Sequence, residues 1–255
     1  MHLYLIIPPI ISFVLSFSLA VLVLLRDPQK TTYRLFAIFL VTSGLWGLII
    51  LAFRISPDVE HAKFWIRGIA PLSVLSSAAF MHFSFLYTRV KVKGWIPVVI
   101  YTLFLLTLGL ALAGMTVKDV TRDIYGFLPV YTVLQPASSV VCYILIVIGL
   151  VNFIRAYKKS DSFNERNSYL YIVIGILSSM VGGLWDYLST TELKIPPVGL
   201  IGSILFGALA TVAIMRYHLL DIRIMVRKSV AYLLTSTVVA IPYVGVIILF
   251  NIYFQ

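Results

Sequence analysis

Apolar runs, each close to the roughly 20 residues that cross the hydrocarbon core of a bilayer, occupy most of this chain. They read Leu3–Leu25, Leu35–Phe53, Phe64–Tyr87, Pro97–Met115, Val133–Ile154, Tyr169–Ser189, Pro197–Met215 and Val230–Phe254. In lipid a segment must satisfy its own backbone, which leaves helices and closed barrels. Barrel strands are short and alternate in polarity; these runs are continuous. The expected fold class is all-α, a polytopic transmembrane helix bundle. Composition agrees: 60% of the 255 residues are hydrophobic and 12% charged, against about half and a quarter in a soluble domain. Pro71, Pro136 and Pro242 fall inside runs and predict kinks.

Charge gives the orientation. Arg26, Lys30, Arg34, Arg89, Lys91, Lys93, Arg155, Lys158, Lys159, Arg166, Arg216, Arg223, Arg227 and Lys228 follow the odd-numbered runs, leaving only Arg54, Lys63, Arg67, Lys118, Arg122 and Lys194 for the other side. Cytoplasmic loops carry the excess of Lys and Arg, so the N-terminus is expected outside. The first run has its positive charge behind it and no small-residue cleavage site, unlike a signal peptide. The domain reading is a seven-transmembrane sensor bundle over 1–215, a basic cytoplasmic amphipathic connector over 216–229, and an eighth span over 230–255. With eight spans Gln255 also faces outside, so a further span is expected before any cytoplasmic domain.

The net charge of +10 could suggest nucleic acid, but its placement in short loops points to topology and anionic headgroups. Cys142 is the single cysteine and lies inside an apolar run, where packing is its expected role. No phosphate loop, zinc motif or nucleophile constellation is present. No metal or cofactor is expected, and no enzyme activity in this segment.

Polar residues inside spans are costly and mark interior faces. Asp186, in VGGLWDYL, shares a helical face with Gly175, Ser179 and Gly182, flanked by Trp185 and Tyr187. It reads either as a carboxylate at an outward-facing pocket or as an interfacial acid paired with a basic neighbour. Arg67, beside Trp65, lies at comparable depth and is a candidate partner; the alternatives for it are a ligand headgroup or snorkelling. His82 reads as a buried hydrogen-bonding group or a ligand contact. Gln135, Pro136, Ser138, Ser139 and Tyr143 open the fifth run as a pocket wall or a repaired kink. Gly199, Ser203, Gly207 and Thr211 form a close-packing face. Trp46 completes the candidate ligand set of Trp46, Trp65, Arg67, His82, Gln135, Tyr143, Trp185 and Asp186.

The most cationic stretch is RYHLLDIRIMVRKS, Arg216–Ser229. On a helix, Arg216, Arg223 and Arg227 share one face and Leu219, Ile222 and Val226 another, which suits the inner interface. A plain topogenic loop is the alternative. LLDIRIMVRKSVAYLL resembles the segment that closes the N-terminal seven-transmembrane module of bacterial sensor histidine kinases. YRLFAIFLVTSGLWGLIILAF and FWIRGIAPLSVLSSAAFMHFSFLY, with Trp46 and His82-Phe83, resemble that family's second and third spans. The resemblance implies a membrane input module that precedes cytoplasmic signalling domains, with no catalytic or binding residue to carry over.

The expected function is therefore a signal-input module in a bacterial inner membrane. It would bind a small amphiphilic or lipid-like ligand in an outer-half pocket and relay through Arg216, Asp221, Arg223 and Arg227. Membrane lipids and a second copy, in a homodimer, are the other expected partners, and nucleic acid is not. Transport, membrane enzymology, and a structural anchor for dimerisation are the rivals. A transporter usually shows paired broken helices or repeated intramembrane charges; the sequence has no clear internal repeat and no chain of acidic residues.

Overall fold

The computed structural model describes residues 3–123, 126–191, 195–217 and 219–221. The elements are α1 Leu3–Arg26, α2 Thr31–Arg54, α3 Val59–Ile66, α4 Ile69–Tyr87, α5 Trp95–Leu112, β1 Val117–Asp123, β2 Gly126–Tyr131, α6 Leu134–Lys159, α7 Phe163–Ser189 and α8 Leu200–Tyr217. Six stretches are long and apolar enough to cross a membrane, α3 and α4 together counting as one, and Leu200–Ile214 adds a shorter apolar helix. The chain is a multi-pass helical bundle. The expected eighth span lies outside the described residues.

Six helices close a ring. α1 packs on α2, α2 on α4, α4 on α6, α6 on α7, α7 on α8, and α8 returns to α1. α5 stands outside it, packed chiefly on α4, and Val98, Leu105, Leu106 and Leu112 remain exposed, as lipid-facing side chains must. The tightest seam is α7 against α8. A Cβ added at Gly182 would collide with the carbonyl of Gly199, and one at Gly202 with the carbonyl of Ser178. Small residues let two backbones approach in this way, where packing rather than hydrophobicity drives association.

Toward the end that the charge count assigns to the cytoplasm, the ring is filled with aromatics. Phe36 lies 4.8 Å from Phe83, Phe39 5.3 Å from Phe80 and 5.2 Å from Phe206, and Phe153 touches Phe80, Phe83, Tyr87 and Tyr169. Phe36, Phe80, Phe83 and Phe153 are fully buried. Tilted and edge-on rings of this kind add to simple burial. A buried polar pair in this layer is satisfied, with Asn152 Nδ2 donating to Ser84 Oγ at 3.1 Å.

Four features depart from the sequence expectation. The third run is broken: α3 and α4 are separated at Arg67–Gly68, so Trp65 belongs to a short outer helix. Pro71 stands four residues beyond Arg67, whose carbonyl its missing N–H leaves without a helical donor, so the bend expected in the third run falls at this break. Pro136 lies in the first turn of α6, where a missing N–H breaks no helical bond, and kinks no span. The loop expected between the fourth and fifth runs folds into an antiparallel hairpin, β1 with β2, in which Val120 faces Pro129 and Arg122 faces Phe127. On the inner side α8 ends at Tyr217, and Leu219–Asp221 form a 3-10 turn with Leu220 at φ 62. Leu219 and Leu220 are buried, and Tyr33 OH donates to the Leu220 carbonyl. The helix therefore does not run straight on, and the single amphipathic helix expected from Arg216 is interrupted at its start.

Candidate functional site

Above the aromatic layer the ring opens into a cavity of about 250 Å³. Its floor is the top of the aromatic core, where Phe39 and Phe206 meet Ile146 and Ile176. Its roof is the hairpin, through Phe127, Leu128, Pro129 and Tyr131. Its walls come from α2, α4, α6, α7 and α8. On α4, Ser73, Ser76 and Ser77 recur at the i, i+3 and i+4 spacing that places residues on one helical face. Ser43 and Ser76 bring their hydroxyls to 3.3 Å across α2 and α4. Ser77 and Thr42 each donate to a carbonyl of their own helix at 2.8 Å, which leaves oxygen lone pairs for a guest.

Three buried polar atoms of cavity-lining residues have no hydrogen-bond partner among the described residues: Trp46 Nε1, Gln135 Oε1 and Asp186 Oδ2. Gln135 is only 5% exposed. An unsatisfied buried polar group costs about 1–3 kcal/mol, and native interiors keep few of them. One donor and two acceptors are thus left over among the residues around a single space.

The Asp186 carboxylate does two things. Its Oδ1 accepts from the Gly199 N–H at 2.7 Å, immediately ahead of α8. Its Oδ2 is the unpartnered acceptor. The cation at this wall is Arg54: Nη1 donates to the Leu5 carbonyl at 2.6 Å and Nη2 to the Pro197 carbonyl at 2.9 Å. Such charge-assisted bonds are the stronger ones. Arg54 and Asp186 thus fasten the outer ends of α1, α2, α7 and α8.

The structure brings Trp46, Gln135, Tyr143 and Asp186 of the expected set to this cavity. Tyr143 OH donates to the Met180 carbonyl at 3.2 Å. The other four lie elsewhere. Trp65 is exposed on α3, edge-on to Phe64. The Arg67 guanidinium lies against Gly114 rather than Asp186. Trp185 points outward and donates to the Pro196 carbonyl at 2.9 Å. His82, deep in the inner half, shares a 3.1 Å hydrogen bond with Tyr101 OH and joins α4 to α5. Arg216 is exposed at the inner end of α8, Asp221 closes the 3-10 turn, and Arg223 and Arg227 lie outside the described residues.

The roof is held from the side. Phe53, Ala62, Ile66, Ile69, Val117 and Val120 form a small core joining α2, α3 and α4 to the hairpin, and Lys63 Nζ lies 3.9 Å from Asp119 Oδ1. Asp58 caps α3, accepting from the His61 N–H at 2.9 Å, and that N–H holds its carboxyl below the usual range. The cap is therefore complete above the ordinary Asp pKa and is lost as pH falls through the lowered value. Burial, and next the Asp186 charge, push the Tyr131 phenol up, so it stays a neutral donor under the hairpin.

Sequence reasoning missed Arg54, Tyr131 and the α4 serines. Arg54 stood only as an outer-side charge, although an arginine at the last turn of an apolar helix can reach inward. The serine spacing on α4 was a usable signal. Among the described residues no group of three or more His, Cys, Asp or Glu side chains is placed to hold a metal ion.

The family described as the N-terminal 7TM region of histidine kinase matches residues 8–223. The chain belongs to that family and is a transmembrane input module of sensor-kinase type. No curated protein and no solved structure matches it.

Proposed function

We propose that this module senses a small amphiphilic molecule held in the outer-half cavity. A single observation carries the reading: Trp46 Nε1, Gln135 Oε1 and Asp186 Oδ2 are buried and unpartnered among the described residues, and all three residues line one space under the hairpin. A purely structural anchor has no use for three such costs in one place. A ligand donating to Asp186 Oδ2 loads the same carboxylate that holds Gly199, so occupancy acts on the outer end of α8. From there α8 runs to Arg216 and the Leu219–Asp221 turn at the inner surface. The ligand shifts the signalling balance only through its preference for one arrangement of α7 and α8 over another. The membrane is a bacterial inner membrane, and the phosphotransfer chemistry is assigned to a cytoplasmic part of the natural kinase.

The test is a comparison of molecules retained on purification. Gly183 lines the cavity, and a Cβ added there would meet only the Tyr143 hydroxyl, at 3.6 Å. Gly183→Leu therefore adds bulk at the cavity wall with no backbone clash at Cβ. Mass spectrometry of organic extracts is expected to find a small molecule with the wild-type chain and not with Gly183→Leu. Identical extracts from the two proteins would sink the proposal.

A further inference from the structure

We infer that the occupant is an uncharged amphiphile whose head group both donates and accepts hydrogen bonds, a hydroxyl or primary amide on a short apolar body. The inference rests on the cavity reading above and adds the chemistry of the guest.

The residues that line the cavity hold two unpartnered acceptors, Gln135 Oε1 and Asp186 Oδ2, and one unpartnered donor, Trp46 Nε1, each buried just behind the wall and within reach of a guest after a small side-chain shift. A carboxylate guest offers acceptors only. It would answer Trp46 while setting its own charge against the Asp186 oxygen and the Gln135 carbonyl. Arg54 does not rescue it, because both terminal nitrogens of its guanidinium are turned onto backbone carbonyls, Leu5 and Pro197. An alkylammonium offers donors only and leaves the indole N–H unanswered. It also brings a second cation to a wall where Arg54 already stands beside the carboxylate, in surroundings where charge is costly. A hydroxyl or amide can serve an acceptor and the donor at once, and no net charge has to be compensated. The apolar body then lies toward Phe39 and Phe206 at the floor, with the head group below the hairpin.

The probes are heptanol, heptanamide, heptylamine and heptanoate, matched in chain and differing in head group. The readout is the thermal midpoint of the whole chain in lipid nanodiscs. Each shift is taken against Gly183→Leu, or Gly183→Val if the leucine variant does not fold, which subtracts effects of the probes on the bilayer. Heptanol and heptanamide are expected to raise the midpoint of the wild-type chain and leave that of the filled variant in place. Heptylamine and heptanoate are expected to do neither. Asp186→Asn is expected to let heptanoate stabilise, since the opposing charge is gone. A shift with heptanoate or heptylamine that depends on the open cavity and equals or exceeds that of the neutral probes overturns the head-group inference and leaves the cavity reading intact. Equal shifts in wild-type and filled chains with every probe overturn the cavity reading itself.

Discussion

The inner and outer halves of the ring are built from the same helices and obey opposite rules. In the inner half aromatic rings from α2, α4, α6, α7 and α8 interlock, and the buried Asn152–Ser84 pair is satisfied. In the outer half the same helices surround open space, although α7 and α8 touch most closely there, at Gly182–Gly199 and Ser178–Gly202. Among the described residues, the buried side-chain atoms without partners, Ser12 Oγ, Trp46 Nε1, Arg67 Nε, Thr116 Oγ1, Gln135 Oε1 and Asp186 Oδ2, all belong to this half. One end holds the helices in register. The other end spends stability on polar groups that the fold itself does not satisfy. A module that must both persist and respond has divided these tasks along its length.

The division can be broken by substitution. Phe153 is fully buried among four rings, and Phe153→Ala is expected to cost about 3 kcal/mol, the low end for such truncations because lipid is as apolar as the core it leaves. Thermal unfolding in nanodiscs measures it, and a change below a third of that value would mean the inner half is not the packed half. Arg54→Met removes two charge-assisted bonds to backbone carbonyls and is expected to cost about 2 kcal/mol. Hydrogen exchange should rise at the outer ends of α1 and α8 while the inner ends stay protected; a uniform rise would erase the boundary between the halves. The smallest stability effect is expected at Gln135→Leu, within about 1 kcal/mol of wild type and on the favourable side, because an unsatisfied amide is exchanged for an apolar group. That variant should nevertheless lose the molecule retained on purification. Unchanged retention would remove Gln135 from the site.

Length and hydropathy made the spans legible, because a lipid-crossing helix announces itself by an unbroken apolar run. They could not show which faces meet. Lipid and protein interior are equally apolar, so α2, α4 and α6 have apolar side chains toward both, and periodicity separates them poorly. Pro71 signalled a bend in the third run, but with apolar residues on both sides nothing showed that the helix would divide at Arg67–Gly68. The hairpin was invisible for another: Val117–Asp123 is mostly polar and carries none of the alternation that marks a half-buried strand. Trp46, Gln135, Tyr143 and Asp186 stood out as polar intruders in apolar runs. Trp65, Trp185 and Arg67 stood out equally, and nothing short of the tertiary arrangement tells a residue at the rim from one at the wall.

The ring closes through α1 and α8, the first and last helices described. During synthesis at the membrane, α1 and α2 can pair as soon as both have emerged, but the chamber above the aromatic layer has no eighth-helix wall until the ribosome has passed residue 217. α1 must wait in the bilayer with its partner face unoccupied while the intervening helices are inserted. Joining the two ends then brings together segments far apart in sequence, the slow kind of contact in any folding reaction. A nascent chain truncated before α8 would be a set of inserted helices with no closed ring, so the cavity is completed only when α8 arrives.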